Sequence, residues 1–228
     1  MDEEQSFHGR RCVVGRRRQC RLSLFQTGIG DKAAGNAAQR AASVHRFDFL
    51  VSSGFASALV PAAVGDLVIG TEVVAYDHDH GRAREKRVFP SGAEEVALAT
   101  RVAQSVGLVA RTGRIVTVPR VLSLSAEKRI VADRSGAIGA DMESAAICAS
   151  GESTGTSVLV VRAVSDLLEE DLALDFNQFL GPTGWIRGML HCTAHPGTLW
   201  GLNRLRRQAV IGADRLTRFF VQFFDELG

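Results

Sequence analysis

The sequence predicts an α/β domain built around a largely parallel β-sheet. Short apolar runs that are typical of buried strands recur along the chain, at residues 49–51, 66–75, 115–118, 138–141 and 157–164. Segments with helical periodicity separate several of these runs, and in one of them Val96, Ala99 and Val102 share a face of a helix that begins near Ala93. Strands that alternate with helices in this way favour a parallel sheet covered by helices.

Composition limits the class of protein. The 228 residues are 46% hydrophobic and 23% charged, which is typical of a globular chain with a sizeable core. A formal net charge of +2 argues against nucleic acid as a partner. The four cysteines form no CxxC pair, the N-terminus has no apolar signal-peptide region, and no apolar run could span a bilayer. We therefore expect a cytoplasmic protein.

The N-terminal segments predict a β-hairpin and a glycine-rich turn. Residues 11–27 contain two apolar runs separated by a basic turn at 16–18, which we interpret as solvated. Gly28-Ile29-Gly30 leads into an alanine-rich helix at 32–43, and this arrangement suggests backbone amides that face an anion. The pattern is incomplete for a dinucleotide fingerprint, which needs a third glycine and a later acid.

One stretch in the second half combines a strand with the start of a helix. Residues 136–140 predict a short buried strand, residues 144–149 predict a small-residue helix, and Asp141, Met142 and Glu143 lie between them. Ligands bind at such junctions in open α/β sheets, and one carboxylate can accept hydrogen bonds from both hydroxyls of a ribose diol. Glu143 is therefore a functional candidate. The alternative is that Asp141 caps the helix and Glu143 lies in its first turn.

The C-terminal third predicts helices. We expect a single domain over residues 1–228 with a helical extension from about 185, which contains helices at 199–210 and 213–227. The second of these carries an apolar stripe formed by Leu216 and phenylalanines 219, 220, 223 and 224. Such a stripe packs on the domain, pairs with another subunit or touches a membrane, and we rank these outcomes in that order.

Five segments together resemble the nucleoside phosphorylase superfamily, and most closely its methylthioadenosine/S-adenosylhomocysteine nucleosidases. They are a glycine turn at 27–30, a central signature in two parts at 53–59 and 64–69, and an aromatic-acidic loop at 76–79. A ribose-binding motif at 141–146 and an acid-bearing strand at 161–166 complete the set. Their order and spacing hold over about residues 11–180. Glu127-Lys128 and the basic C-terminal tail also resemble members associated with hopanoid biosynthesis.

The resemblance implies a three-layer α/β/α sandwich around a mixed, partly barrel-like sheet. The reaction that it implies is cleavage of the N-glycosidic bond of a purine nucleoside, by water or by phosphate, without a cofactor. Because a partner subunit often completes the pocket for the 5′ group in this family, the resemblance also implies a homodimer.

The resemblance assigns roles to residues of these motifs. Asp166 matches the acid that protonates the departing adenine, with Ser165 placed to orient it, and the alternative is that Asp166 caps the next segment. Glu143 would hold the 2′- and 3′-hydroxyls of the ribose. Met142 would line the sugar face or belong to the core.

Other substrate contacts depart from the family pattern. By spacing from the ribose-binding motif, Arg120 and Val121 fall where relatives hold adenine with an aromatic ring and a backbone amide. A guanidinium can stack on a base, and a surface position is the alternative for Arg120. After Gly54, Phe55 replaces a serine of the family and Ser57 replaces a glycine, so the contacts to the sugar or phosphate would differ here.

The largest departure is at the N-terminus. Relatives open with an apolar strand and an acidic turn whose last acid activates the attacking water. Residues 1–4 resemble that turn, no strand precedes them, and Glu4 is the candidate base. We therefore expect the fold without its first strand, and a solvated acidic terminus is the alternative for Glu4.

Two histidine-containing segments could suggest a metal, but we expect none. His191, Cys192 and His195 lack an evident fourth ligand, and residues 77–80 match the family's aromatic-acidic loop. The expected function is hydrolytic release of adenine from a nucleoside with a modified 5′ group. The alternatives are phosphorolysis, cleavage of an adenosylhopane-type nucleoside, or nucleoside binding without catalysis.

Overall fold

The computed structural model describes residues 3–7, 10–79, 82–172 and 197–227, with the backbone alone at 3–7, 10–11, 77–79, 82–86 and 197–202. The strands in these ranges are β1 (Glu3–Phe7), β2 (Arg10–Arg17), β3 (Cys20–Phe25), β4 (Phe49–Ala58), β5 (Leu67–Asp79), β6 (Arg82–Pro90), β7 (Ala110–Thr117), β8 (Gly139–Asp141) and β9 (Ser157–Asp166). The helices are α1 (Asp31–Val44), α2 (Ala93–Ser105), α3 (Ser125–Ser135), α4 (Ser144–Thr154) and α5 (Gly197–Leu227).

Six strands form the central sheet in the order β6-β5-β7-β8-β4-β9. The pairs β5–β7, β7–β8 and β4–β9 are parallel, whereas β5–β6 and β4–β8 are antiparallel. Residues 67–69 of β5 also pair with residues 161–163 of β9, so the sheet partly closes on itself. The mixed, partly barrel-like sheet is therefore confirmed, and the expectation of a largely parallel sheet understated its antiparallel share.

Alternate residues of β9 face two helical layers. Leu159, Val161 and Ala163 share a cluster with residues of α2 and α5, and Val158 and Val160 share another cluster with α4. Helix α1 packs on α4 from outside. Because both faces of the sheet are covered, the central strands consist of nearly continuous apolar residues, as the sequence shows. The three-layer α/β/α arrangement is thus confirmed.

Helix α5 covers one face of the sheet. Phe219 and Phe223 are fully buried, and the stripe packs against the sheet and α2, so the first-ranked role of the stripe is confirmed. The expectation of two helices was wrong, because the helix continues through Gly212. Among the described residues, no helix combines the length and apolarity needed to cross a membrane.

The N-terminal strands form a separate three-stranded antiparallel sheet, β1-β2-β3. The predicted hairpin is confirmed, with its turn after Arg17. Its basic turn is anchored on the last turns of α5, since Arg17 donates to the Val221 carbonyl at 3.0 Å and to Asp225 at 2.6 Å. This contact, together with Arg18, holds the pKa of Asp225 below its ordinary value. The side chains of Arg17 and Arg18 are nevertheless exposed, so the interpretation of this turn as solvated is confirmed, and the pairing with Asp225 adds to it.

Two segments expected as turns or loops are strands. Glu3 pairs with Val14 and Glu4 pairs with Val13, so the acidic terminus forms β1 at the edge of the hairpin. The expectation of an acidic turn at this position was therefore wrong. Residues 76–79 belong to β5, because their backbone groups pair with β6, which the sequence did not predict. His80, the loop at 181–184 and the His191–His195 segment lie outside the described residues.

Candidate active site

Strand β4 lies between the two strands that carry candidate motifs. Ser57 in β4 pairs with Ala140 of β8 on one side and, after a β-bulge, with Asp166 of β9 on the other. Met142 and Glu143 follow β8 directly. The ribose-binding motif and the acid-bearing strand are therefore separated by the width of one strand.

Asp166 is a buried carboxyl with both oxygens engaged. It is 5% exposed, its Oδ1 accepts a hydrogen bond from Ser165 Oγ at 2.9 Å, and its Oδ2 lies 2.6 Å from Lys128 Nζ. Ser165 thus lies where the prediction required it. No role was predicted for Lys128, although it stands three residues before Val131 and therefore shares the buried face of α3.

Glu143 ends the turn between β8 and α4 and is half-buried. Its Oε1 accepts a hydrogen bond from the Gly30 amide at 2.7 Å, and its Oε2 accepts one from the Met142 amide at 3.3 Å. The amide of the glycine turn therefore faces an anion, and that anion is the carboxylate of Glu143. With respect to the described residues, two further lone-pair positions stay available on this carboxylate, enough for the two hydroxyls of a diol.

Asp141 supports the turn that contains Glu143. Its Oδ1 accepts hydrogen bonds from the amides of Glu143 and Ser144 at 3.3 and 3.2 Å, so Asp141 satisfies the first amide of α4. Thr117 Oγ1 donates to the same oxygen at 2.7 Å and accepts from the Ala145 amide at 3.0 Å. These bonds fix the start of α4 against the end of β7. Glu143 precedes the helix and does not lie in its first turn, so that part of the alternative was wrong.

A buried ion pair connects this turn to β9. Arg162, which is 3% exposed, places Nη2 2.8 Å from Asp141 Oδ2 and donates to the hydroxyls of Ser52 and Ser144 at 2.9 Å. A Cβ on Gly54 would lie 2.5 Å from Arg162 Nη1, so only a glycine leaves room for the guanidinium. No role was predicted for Arg162, and the signal that could have identified it is an arginine inside an otherwise apolar strand.

Gly54 and Phe55 therefore face opposite layers. Gly54 is next to the guanidinium on the α4 side, whereas the Phe55 ring, on a side chain that is 41% exposed, lies against Gly212 of α5. Met142 is half-buried and packs on the apolar cluster that contains Val118 and Leu122. The proposed substrate contacts of Gly54, Phe55 and Met142 stay predictions.

Arg120 and Val121 lie in the segment between β7 and α3, and both are half-buried. Arg120 forms an ion pair with Glu127 at 2.5 Å, and the amides of Ser123 and Leu124 donate to the same carboxylate. Burial alone would raise the pKa of Glu127, but these contacts hold it below its ordinary value. The guanidinium of Arg120 is thus engaged on α3, and its stacking on a base stays a prediction.

Glu4 lies in β1, in the sheet that does not contain Asp166, and its side chain lies outside the described part of the structure. Its role as a base stays a prediction. Within the described ranges, no group of three or more His, Cys, Asp or Glu side chains is placed to hold a metal ion.

Comparisons with known proteins agree with this arrangement. The sequence model of the Phosphorylase superfamily matches residues 2–181. The 5′-methylthioadenosine/S-adenosylhomocysteine nucleosidase of Geobacillus kaustophilus is 30% identical over 173 residues, which cover 69% of this chain and 72% of that protein. The nucleosidase of the same name from Actinobacillus succinogenes is 30% identical over 168 residues, 69% of this chain and 73% of that protein.

Solved structures show the same fold. The nucleosidase of Neisseria meningitidis in complex with methylthio-immucillin-A has a TM-score of 0.74 at 22% identity, over 97% of this chain and 88% of that chain. The S-adenosylhomocysteine nucleosidase of Streptococcus pyogenes in complex with 5-methylthiotubericidin has a TM-score of 0.78 at 18% identity, over 100% of this chain and 88% of that chain.

Replacement of Arg162 by alanine should strongly destabilise the protein. The change leaves the carboxylate of Asp141 buried without its counter-charge, and breaking a buried pair typically costs about 3–5 kcal/mol. Urea unfolding of both proteins measures the difference. Arg129→Ala is the matched control, because Arg129 pairs with Glu169 at the exposed surface and should cost less than about 1 kcal/mol. Equal losses for the two variants would contradict this account of the site.

Proposed function

The chain belongs to the phosphorylase superfamily, and from this premise we propose that it hydrolyses the N-glycosidic bond of an adenine nucleoside with a modified 5′ group. The observation that carries the proposal is the pairing of Ser57 with both Ala140 and Asp166, since the strand that leads to Glu143 and the strand that ends in a buried acid then flank β4 on its two sides. The names of the relatives, nucleosidases for methylthioadenosine and S-adenosylhomocysteine, support the choice of substrate.

Asp166 serves as the general acid in this proposal. Its carboxyl proton passes to N7 of the base while the C1′–N9 bond breaks, so the bonding electrons leave with the base and adenine departs neutral. Ser165 holds Oδ1 at 2.9 Å and so limits rotation of the carboxyl. General acid catalysis of this kind typically contributes about 10²–10⁴-fold in rate.

Glu143 holds the sugar in this proposal. The Gly30 amide at 2.7 Å fixes the carboxylate, which leaves lone pairs for the 2′- and 3′-hydroxyls. Such charge-assisted hydrogen bonds are stronger than neutral ones, so they orient the ribose while C1′ gains positive charge. Met142 beside it would contact the sugar face.

Water supplies the nucleophile in the main proposal. Its oxygen bonds to C1′ and its proton passes to a base, for which Glu4 is the candidate. Phosphate is the competing nucleophile, and attack by phosphate would yield a ribose 1-phosphate derivative without that base. We further propose a homodimer, on the basis of the family resemblance, and a location in the cytoplasm, on the basis of the cysteine pattern and the N-terminal composition.

An adenine-release assay tests the proposed function. Purified protein is given adenosine, methylthioadenosine and S-adenosylhomocysteine, each with and without phosphate, and free adenine is measured by chromatography. We expect adenine from the 5′-modified nucleosides at a rate that phosphate does not change. Release that requires phosphate would establish a phosphorylase, and tight binding without release would establish a nucleoside-binding protein.

Replacement of Asp166 by asparagine should lower kcat for adenine release by about 10²–10⁴-fold, because the amide cannot donate a carboxyl proton. Binding of the nucleoside should persist, and calorimetry checks it. Asp133→Asn, at an exposed position of α3, is the matched control and should keep the wild-type kcat. An Asp166 variant that turns over at the wild-type rate would remove this residue from the mechanism.

Replacement of Glu143 by glutamine should weaken binding of a riboside by about 1.5–3 kcal/mol, the usual contribution of hydrogen bonds to a charged group. Free adenine has no diol, so its affinity should stay the same. Calorimetry with the two ligands gives the comparison, and Glu152→Gln at the exposed end of the same helix is the control. Equal losses for riboside and adenine would mean that Glu143 does not contact the sugar.

A further inference from the structure

Lys128 is a buried cation that the mechanism above leaves without a role. Its side chain is 0% exposed, and its Nζ lies 2.6 Å from Asp166 Oδ2, 2.8 Å from the Leu167 carbonyl and 2.9 Å from the Glu170 carbonyl. The ammonium donates hydrogen bonds to the two carbonyls, and its contact with Asp166 is an ion pair. A lysine is rarely buried to this extent unless it is paired, and here the partner is the candidate acid.

The segment after β9 has other ties to its surroundings. The Ser125 amide donates to Asp171 at 2.6 Å, and the Leu172 amide donates to the Ser123 carbonyl at 2.8 Å. The Glu170 carboxylate is held from α5, at 3.2 Å by Gln208 and at 2.5 Å by Arg204. Since several bonds already fix this segment, its attachment does not explain why a charge is buried against Asp166.

The chemistry of proton donation gives a reason. When Asp166 releases its proton to a departing base, a negative charge forms on a residue that is only 5% exposed. A fixed cation 2.6 Å away stabilises that charge without reorganisation, and such preorganised groups act most strongly in sites that exclude water. The same contact fixes Oδ2, so Asp166 keeps one orientation.

We propose that Lys128 is a positioning residue that orients Asp166 and stabilises its carboxylate after proton transfer. This role rests on the proposed nucleosidase function. Lys128 acts through Asp166 and contacts no substrate, so its loss should affect turnover and leave the binding of the nucleoside unchanged.

Kinetics of Lys128→Met test the role once adenine release by the wild-type protein has been measured. We expect kcat to fall about 10²-fold, the usual effect of losing one preorganised group, with KM unchanged. Lys32→Met on the exposed surface of α1 is the matched control. Lys128→Gln keeps two N–H donors for the carbonyls without the charge, and it serves in place of the methionine variant if that variant does not fold.

A double variant separates positioning from a general structural effect. Because Lys128 acts through Asp166, the Lys128 change should cause no further loss of kcat in an Asp166→Asn background. Losses that multiply in the double variant, or a parallel rise in KM, would overturn the role of Lys128 while the proposed function stands. A wild-type protein that releases no adenine overturns the proposed function, and the role of Lys128 falls with it.

Discussion

The ion pair between Arg162 and Asp141 is the interaction on which the rest of the site depends. Both side chains are buried, so either charge alone would cost several kcal/mol, and their geometry must therefore be kept. Asp141 also accepts the hydrogen bonds from the turn that presents Glu143, and Arg162 lies four residues before Asp166. One buried contact thus fixes the relative position of the two candidate functional carboxyls.

Sequence patterns predicted much of this fold because its signals are local. Apolar runs flanked by polar turns identified β4, β5, β7, β8 and β9, and a junction of strand and helix identified Glu143. The buried ion pairs join residues that are distant in the sequence. Arg162 pairs with Asp141, which is 21 positions away, and Lys128 pairs with Asp166, which is 38 positions away. Periodicity carries no information about such contacts, so the buried cations could not be predicted from it.

The wrong expectations have physical reasons of the same kind. Two helices were expected at 199–210 and 213–227, and the position between them holds Gly212, which costs about 1 kcal/mol inside a helix. The helix nevertheless continues through Gly212. A Cβ at this position would lie 3.0 Å from the Phe55 ring, so tertiary packing favours glycine there. Likewise, the acidic residues of β1 form a strand because the edge of β2 offers them backbone partners. In both cases a tertiary contact outweighed a local preference.

The contacts of α5 also bear on how the chain folds. Phe219 and Phe223 complete the core against β9 and α2, and Arg17 reaches Asp225 over 208 positions of sequence. Contacts between such distant residues slow folding, because the chain must close a long loop before they can form. During synthesis the ribosome releases α5 after every strand of the sheet. The apolar face that α5 covers therefore stays open on the nascent chain, where chaperones can bind it.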